Sequence, residues 1–349
     1  MNWHMWLAQI RGVVRLEMKK TFFSRRGFWV YFLALAPVLL FAGRAVDLMS
    51  NRGYLHEVAN AHPVSTAALE AIHTGMSRQE VEASLGEPYS RRIVDTPRRA
   101  QMWSSYTDGT STYTFYFNND ELRGISTRDR GNFQEDSLIY ATFFQFFYLR
   151  LLIFFGCVGI FVNLFRGEMI NKSLHFYLLA PVRREVLVGG KFVAGVIASV
   201  VIFCSSTALQ LWMFQIPFGS AATFQNLHAA SYLGVTALAC LGYGSVFLAA
   251  GLLAVNPLIP AAAVMLWEAA NLFLPAALKK ISIIFYLQSL CPVIAPPEKD
   301  INPILSLLIN SAEAPPAILS ILGLLIVTAL LLAWSAIRAR KLEINYSSD

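Results

Sequence analysis

Long apolar runs separated by polar segments constrain this sequence more than any other feature. A run of about 20 apolar residues can cross the hydrocarbon core of a bilayer as an α-helix. We predict six such spans, at residues 28–46, 137–164, 192–214, 231–255, 258–278 and 317–337. Hydrophobic residues make up 56% of the chain and charged residues 14%, against about 45–50% and about 25% in soluble domains. The sequence therefore predicts a mainly α, integral membrane protein.

Lysine and arginine are distributed unevenly around these spans. They are frequent in residues 1–27, in the segment 165–191 and after the last span, whereas the short loops on the other side hold only Lys279, Lys280 and Lys299. Cytoplasmic loops carry such an excess. We predict a multi-pass protein of the bacterial inner (plasma) membrane with both termini in the cytoplasm, residues 342–349 forming a tail. The net charge of +6 then indicates anionic lipids rather than nucleic acid as the partner.

The first 27 residues read as a helix on the cytoplasmic leaflet, because apolar residues recur at helical spacing and basic residues occupy another face. The alternative is a basic flank that only sets topology. Farther along, residues 279–316 contain six prolines and cannot form one straight span. We predict short helices that dip into the outer leaflet there.

The segment 47–136 between spans 1 and 2 is polar and has no run long enough to span. Ser77 and Glu80 match a capping box at the start of a helix, and Gly86 matches its end. Strand-like runs follow at residues 89–94, 100–106, 111–117 and 122–127, with a hairpin turn at residues 118–120. We predict a small extracytoplasmic α+β domain with an antiparallel sheet.

The segment 165–191 lies between spans 2 and 3 and contains LLAPVRREVLVGGK. This motif and the order of the membrane segments resemble the permease of type-2 ABC transporters (the ABC-2 permease family), over residues 1–46 and 137–341. The resemblance implies a coupling helix that docks on a separate ATP-binding subunit, with Lys191 at the base of span 3. The coupling residues would be Glu168, Lys172, Leu174, Leu178, Leu179, Pro181, Arg183 and Arg184. The alternative is a loop that merely joins two spans.

The sequence contains no GxxxxGK[ST] phosphate loop. ATP and Mg²⁺ are therefore expected on the partner subunit, and we expect no enzyme activity and no cofactor in this chain. The resemblance further implies a second permease copy or a related permease, because one six-span unit makes half a pathway. Export is the direction that most members of this family share.

The insert resembles the SmpA/OmlA (BamE-like) domain of small envelope lipoproteins over residues 74–125. The shared marks are Gly75-Met76, the helix stop LGEP, Trp103 with Tyr106, and the strand that contains Phe115 and Phe117. It departs from that family in lacking a lipidated cysteine. The resemblance implies binding of an envelope protein or component without catalysis, and the alternative is a packed spacer. An envelope assembly or interaction protein, anchored by the spans, is accordingly the alternative function.

Glu268 is a carboxylate within the fifth predicted span. Such groups are costly in a bilayer and mark functional sites by default. We predict a substrate path that includes Glu268 and Asn271, and the alternative is a helix-packing hydrogen bond between the two. His56 and His62 are six residues apart and do not match a zinc-binding HExxH helix. We expect no catalytic constellation and no metal site.

Overall fold

A computed structural model describes residues 3–23, 28–96, 99–129, 132–170, 183–223, 228–254, 256, 258–293 and 315–340. The chain divides into two compact units. The helical unit comprises Met1–Leu40, Ser137–Met213 and Ala222–Asp349, and the sheet unit comprises Phe41–Asp136 and Phe214–Ala221. The elements in chain order are α1 (Trp3–Phe23), α2 (Phe28–Ala61), α3 (Thr66–Glu70), α4 (Arg78–Leu85), β1 (Ser90–Thr96), β2 (Arg99–Thr107), β3 (Ser111–Asn118), β4 (Glu121–Asp129), α5 (Phe133–Met169), α6 (Arg184–Gln215), α7 (Ala229–Leu253), α8 (Leu258–Ala270), α9 (Ala276–Lys279), α10 (Ile283–Ser289) and α11 (Ala317–Arg340).

Five helices of the described chain, α2, α5, α6, α7 and α11, are long and apolar enough to cross a membrane. The predicted count of six is not confirmed, because α8 has 13 residues. At about 1.5 Å per residue it is about 20 Å long, short of a hydrocarbon core of about 30 Å. It ends at Ala270 and gives way to a 3₁₀ turn, Asn271–Phe273. Pro275 accounts for this, because a proline clashes with the carbonyl four residues earlier.

Helix α2 continues past the predicted end of the first span, at residue 46, as far as Ala61. The polar residues after residue 46 include nothing that stops a helix until Pro63, which disfavours helical geometry at His62. Helix α2 accordingly ends at Ala61, and α3 begins after Pro63 as a separate short helix.

The helical unit packs around α7, which contacts α5, α8, α10 and α11. Helix α5 has π-helical turns over Phe144–Ile153 and Val158–Val162. Small residues allow α7 to approach α5 closely. A Cβ added at Gly251 would lie 2.9 Å from the Cα of Val162. The hydroxyls of Tyr148, Thr207 and Thr236 form a buried chain between α5, α6 and α7, with oxygen–oxygen distances of 3.2 and 3.0 Å.

The sheet unit contains a four-stranded antiparallel sheet in the order β1-β2-β3-β4. Its strands match the predicted ones to within two residues. Asn119 and Asp120 have φ of 51° and 65° and form the tight turn between β3 and β4, as the primed hairpin turns require. The side chain of Ser77 accepts from the Glu80 amide, and Glu80 accepts from the Ser77 amide at 2.8 Å, so the predicted capping box is confirmed. The helices and strands share one core, consisting of Leu69, Ile72, Val81, Leu85, Met102, Tyr106, Phe115, Phe117 and Leu122.

Candidate functional site

Four charged side chains meet where α1 contacts the end of α5 and the start of α6. The Nζ of Lys191, a fully buried residue, lies 2.7 Å from Glu17 Oε1 and 2.9 Å from Glu168 Oε2. It also donates a hydrogen bond to the Leu164 carbonyl at 2.8 Å. Lys20 Nζ lies 2.9 Å from the other oxygen of Glu168. These two lysines and two glutamates form one group without net charge, which we call the charge cluster.

Three members of the charge cluster are buried, and Lys20 is half-exposed. Burial raises the pKa of the Glu17 carboxyl above its ordinary value, although the Lys191 ammonium acts in the opposite direction. A charge in such a site is costly unless it is paired and hydrogen-bonded. The ionised form of Glu17 therefore depends on Lys191.

Helix α1 is packed into the helical unit beside this cluster. Val13 is buried, and a Cβ added at Gly190 would lie 2.9 Å from its side chain. Leu7 and Leu16 are exposed, as expected of a helix that also touches lipid. The sequence carried one signal for this packing, because Glu17 is the single acidic residue among the first 27. Its partner Lys191 is 174 positions away.

The predicted coupling residues have different surroundings. Glu168 belongs to the charge cluster. Arg183 is exposed, and its guanidinium carbon lies 5.2 Å from the centre of the Trp6 ring. Arg184 donates from Nη1 to the carbonyls of Ala339 and Arg340, at 3.3 and 3.0 Å, at the end of α11. Arginine commonly satisfies last-turn carbonyls in this way. Arg183 is thus the described coupling residue with the most accessible charge.

The remaining coupling predictions lie outside the described residues. They are Lys172, Leu174, Leu178, Leu179 and Pro181. The predicted segment 165–191 is shorter at both ends than expected, because α5 continues to Met169 and α6 begins at Arg184. Docking of this segment on a partner stays a prediction.

Glu268 is buried and accepts three hydrogen bonds at the start of α10. The Ser282 hydroxyl donates at 2.7 Å, the Ile283 amide at 3.0 Å and the Ile284 amide at 2.9 Å. The carboxylate therefore caps α10 from the end of α8, where an acidic group is favourable. Asn271 is also buried, and its Nδ2 has no hydrogen-bond partner among the described residues. The packing hydrogen bond considered between Glu268 and Asn271 is thus replaced by other partners of Glu268.

Arg150 lies within the π-helical part of α5. Its guanidinium carbon is 5.2 Å from the centre of the Phe146 ring. Electrostatic interactions join it to Glu268 and to the buried Tyr243 of α7. The described residues contain no group of three or more His, Cys, Asp or Glu side chains that could hold a metal ion.

The sheet unit has ordered polar contacts around its hairpins. The Tyr106 hydroxyl donates to the Gly86 carbonyl at 3.1 Å, and burial raises the pKa of Tyr106 to about 12. Burial would raise the pKa of Asp108, but hydrogen bonds from the Ser111 and Thr110 amides outweigh it and hold the pKa below its ordinary value. A groove of about 480 Å³ opens on the sheet, lined by Ser90, Arg92, Val94, Trp103, Ser105 and Thr114.

Comparisons with known proteins bear on the sheet unit. The family model of the outer membrane protein assembly factor BamE domain matches residues 63–127, which contain α3, α4, β1, β2, β3 and most of β4. Searches of curated proteins and of solved structures gave no match. Nothing in these comparisons supports the permease family, so that resemblance stays a prediction. The apolar helices indicate membrane association and the domain indicates an envelope location. Residues 63–127 of this chain form a BamE (SmpA/OmlA-like) domain.

Proposed function

We propose that this chain is the permease subunit of an ABC transporter, driven by a separate ATP-binding subunit. The observation that carries the proposal is the charge cluster. Glu168 and Lys191 lie near the two ends of the predicted coupling segment, and both are joined to the same helix, α1. A force applied to the segment would therefore move α1, α5 and α6 together.

A simple membrane anchor has no need of such a cluster. Replacing a buried ion pair by apolar side chains of similar volume is often neutral or stabilising, so buried charge is weak evidence for a purely stabilising role. A fixed register between helices is the best-attested use of buried charged groups. We take the charge cluster to hold α1, α5 and α6 in one register while the partner pulls on them.

In our proposal, the end of α5 and the start of α6 that carry the charge cluster face the cytoplasm, as the distribution of lysine and arginine suggests. ATP is available on that side of the membrane. ATP and Mg²⁺ would bind to the partner subunit. A second copy of this chain, or a related permease, would complete the pathway. Export is the proposed direction, and the BamE domain would face the envelope.

The test uses a tagged copy purified from its own membranes, with the retained proteins identified by mass spectrometry and assayed for Mg²⁺-dependent ATP hydrolysis. Arg183→Glu is the informative variant, because Arg183 is an exposed residue within the predicted coupling segment. Arg338→Glu is a matched control, since Arg338 is also exposed and its guanidinium carbon lies 6.0 Å from the centre of a tryptophan ring, that of Trp334.

We expect an ATP-binding subunit to be retained with the unchanged protein and with Arg338→Glu. Arg183→Glu should lower its retention by about tenfold, the effect of about 1.4 kcal/mol. Equal retention by the two variants would refute docking at this segment. Absence of any ATP-binding protein from the purified complex would refute the proposed function.

The second candidate is an envelope assembly or interaction protein, and the BamE match favours it. The groove on the sheet, with Arg92 beside Trp103, is a surface for such a partner. Deleting residues 63–127 separates the candidates. If the BamE domain carries the function, its deletion should reproduce the phenotype of a null strain. The Arg183→Glu strain should then show no phenotype.

A further inference from the structure

Buried polar atoms without a hydrogen-bond partner among the described residues occur at several places in the helical unit, and three of them can donate from α5, from α7 and from the end of α8. These three are Nε of Arg150, the hydroxyl oxygen of Tyr243 and Nδ2 of Asn271. Tyr243 is completely buried and Asn271 is 4% exposed. An unsatisfied buried polar atom destabilises the folded state, and each such atom calls for an explanation.

These groups belong to one region of the helical unit. Phe154 lies four positions after Arg150 on α5, and its ring centre is 5.4 Å from that of Tyr243 on α7. Arg150, Tyr243 and Glu268 interact electrostatically with one another. Helix α10, which Glu268 caps, packs against both α7 and the π-helical part of α5. Asn271 follows Glu268 by three residues at the end of α8.

The carboxylate nearest to this region already has its own donors. Glu268 accepts from one hydroxyl and two backbone amides at the start of α10. No carboxylate of the described chain lies within 4.0 Å of the Arg150 guanidinium, so this arginine forms no ion pair there. The region consequently has an excess of donors over acceptors.

The backbone around Arg150 is also unusual. Arg150 lies in a π-helical stretch of 10 residues. Long π-helical stretches are rare, and π-helical turns occur frequently at functional sites. An arginine placed mid-span without a carboxylate is a second costly feature at the same position.

We propose that Arg150, Tyr243 and Asn271 bind the oxyanion head of an amphipathic molecule, a phosphate or carboxylate carried on an apolar chain. The guanidinium, the phenol and the amide nitrogen all donate, which suits an acceptor with several oxygens. Phe146, against which the guanidinium stacks, is 45% exposed on α5. It offers a surface for the apolar chain. That the ligand is cargo rests on the proposed transport function, whereas its binding does not.

The experiment uses purified protein in phosphatidylcholine nanodiscs without any ATP-binding subunit. The probe is a dodecyl phosphate that bears a photoreactive diazirine, and labelling is measured by mass spectrometry. The informative variant is Tyr243→Phe, which removes a hydroxyl that has no partner. The matched control is Tyr148→Phe, because the Tyr148 hydroxyl donates to the Phe203 carbonyl at 2.8 Å.

We expect Tyr243→Phe to lower labelling about tenfold and to leave the melting temperature without ligand unchanged or raised. Tyr148→Phe should do the opposite, lowering the melting temperature and preserving labelling. Arg150→Gln should lower labelling at least as much as Tyr243→Phe. If Tyr243→Phe lowers the melting temperature and preserves labelling, the tyrosine is a packing group and the proposal is wrong.

Competitors distinguish the source of the head group. Inorganic phosphate and a dodecyl maltoside of the same chain length should not displace the probe, and displacement by either would overturn the amphipathic oxyanion ligand. Displacement by phosphatidylglycerol would support the site and identify a resident lipid as its ligand. Because no ATP-binding subunit is present, failure here leaves the proposed function standing, and loss of that function leaves this result standing.

Discussion

From the charge cluster we predict that replacing Lys191 lowers the stability of the protein by an amount that depends on pH. Replacing Lys191 with methionine keeps an unbranched apolar side chain but removes the ammonium that faces Glu17 and Glu168. Glu168 retains Lys20, 2.9 Å away. Glu17 loses the cation that opposes the effect of burial on its pKa. We expect the Lys191→Met protein to fold with Glu17 protonated.

The cost follows from the protonation of that carboxyl. Its ordinary pKa is 4.5, and each pH unit above that value costs about 1.36 kcal/mol. Protonation therefore costs at most about 4 kcal/mol at pH 7.5 and about 0.7 kcal/mol at pH 5. Removal of the Lys191 ammonium raises the pKa of Glu17 in the folded state. The stability of the variant is therefore closest to that of the unchanged protein at low pH, and it falls as pH rises through the folded pKa of Glu17.

Melting temperature in detergent, measured at pH 5 and pH 7.5, gives the test. At about 2 °C per kcal/mol for a chain of this size, the deficit should be about 8 °C at pH 7.5 and about 1–2 °C at pH 5. Lys20→Met is the matched control, since Lys20 is 49% exposed and exposed ion pairs contribute about 1 kcal/mol or less. Adding Glu17→Gln to Lys191→Met should remove the pH dependence. An equal deficit at both pH values would refute the reasoning.

Two further predictions concern the helix contact and the sheet unit. Gly251→Ala should lower stability by about 1–3 kcal/mol, because its Cβ would meet the backbone of Val162. A Cβ at Gly234 on the same helix has no neighbour within 4 Å, so Gly234→Ala should be neutral or stabilising. Thermal unfolding of the two variants tests this. Below about pH 4 the turn held by Asp108 should lose hydrogen-exchange protection at residues 110–111. The pKa of Asp108 is lowered, so its contribution is present above the unfolded pKa and lost as pH falls through the folded one. Asp108→Asn should abolish this pH dependence, and equal loss in both proteins would contradict the assignment.

The sheet unit was the part most open to prediction from sequence. Its signals are local: Ser77 and Glu80 are three residues apart, and Asn119-Asp120 forms a turn between two alternating strands. Each feature is set by hydrogen bonds or backbone sterics within a few residues. The strand bounds and the antiparallel sheet followed directly from them.

The helical unit was predicted less completely, because its decisive contacts are distant in sequence. Nothing near Glu17 reveals its pairing with Lys191, and periodicity does not show that Glu268 caps a helix 15 residues later. Apolar composition identified α8 but not its length, since Leu272, Phe273 and Leu274 continue the apolar run after the helix has ended. Hydropathy indicates whether a segment is surrounded by lipid or by water. The end of α8 depends instead on Pro275 and on packing.

The charge cluster can form only after the ribosome has synthesised Lys191. Glu17 leaves the ribosome 174 residues before Lys191, which at about 5–20 residues per second is a delay of about 9–35 s. Until then, α1 cannot bury its carboxylate against a lysine that does not yet exist. Helix α1 is therefore made before its partner by the time needed to synthesise α2, the whole BamE domain, α5 and the start of α6. The exposed apolar side chains of Leu7 and Leu16 would favour binding of the nascent α1 to lipid during this interval. The same side chains that suit the folded protein would then also keep α1 near the membrane until Lys191 is made.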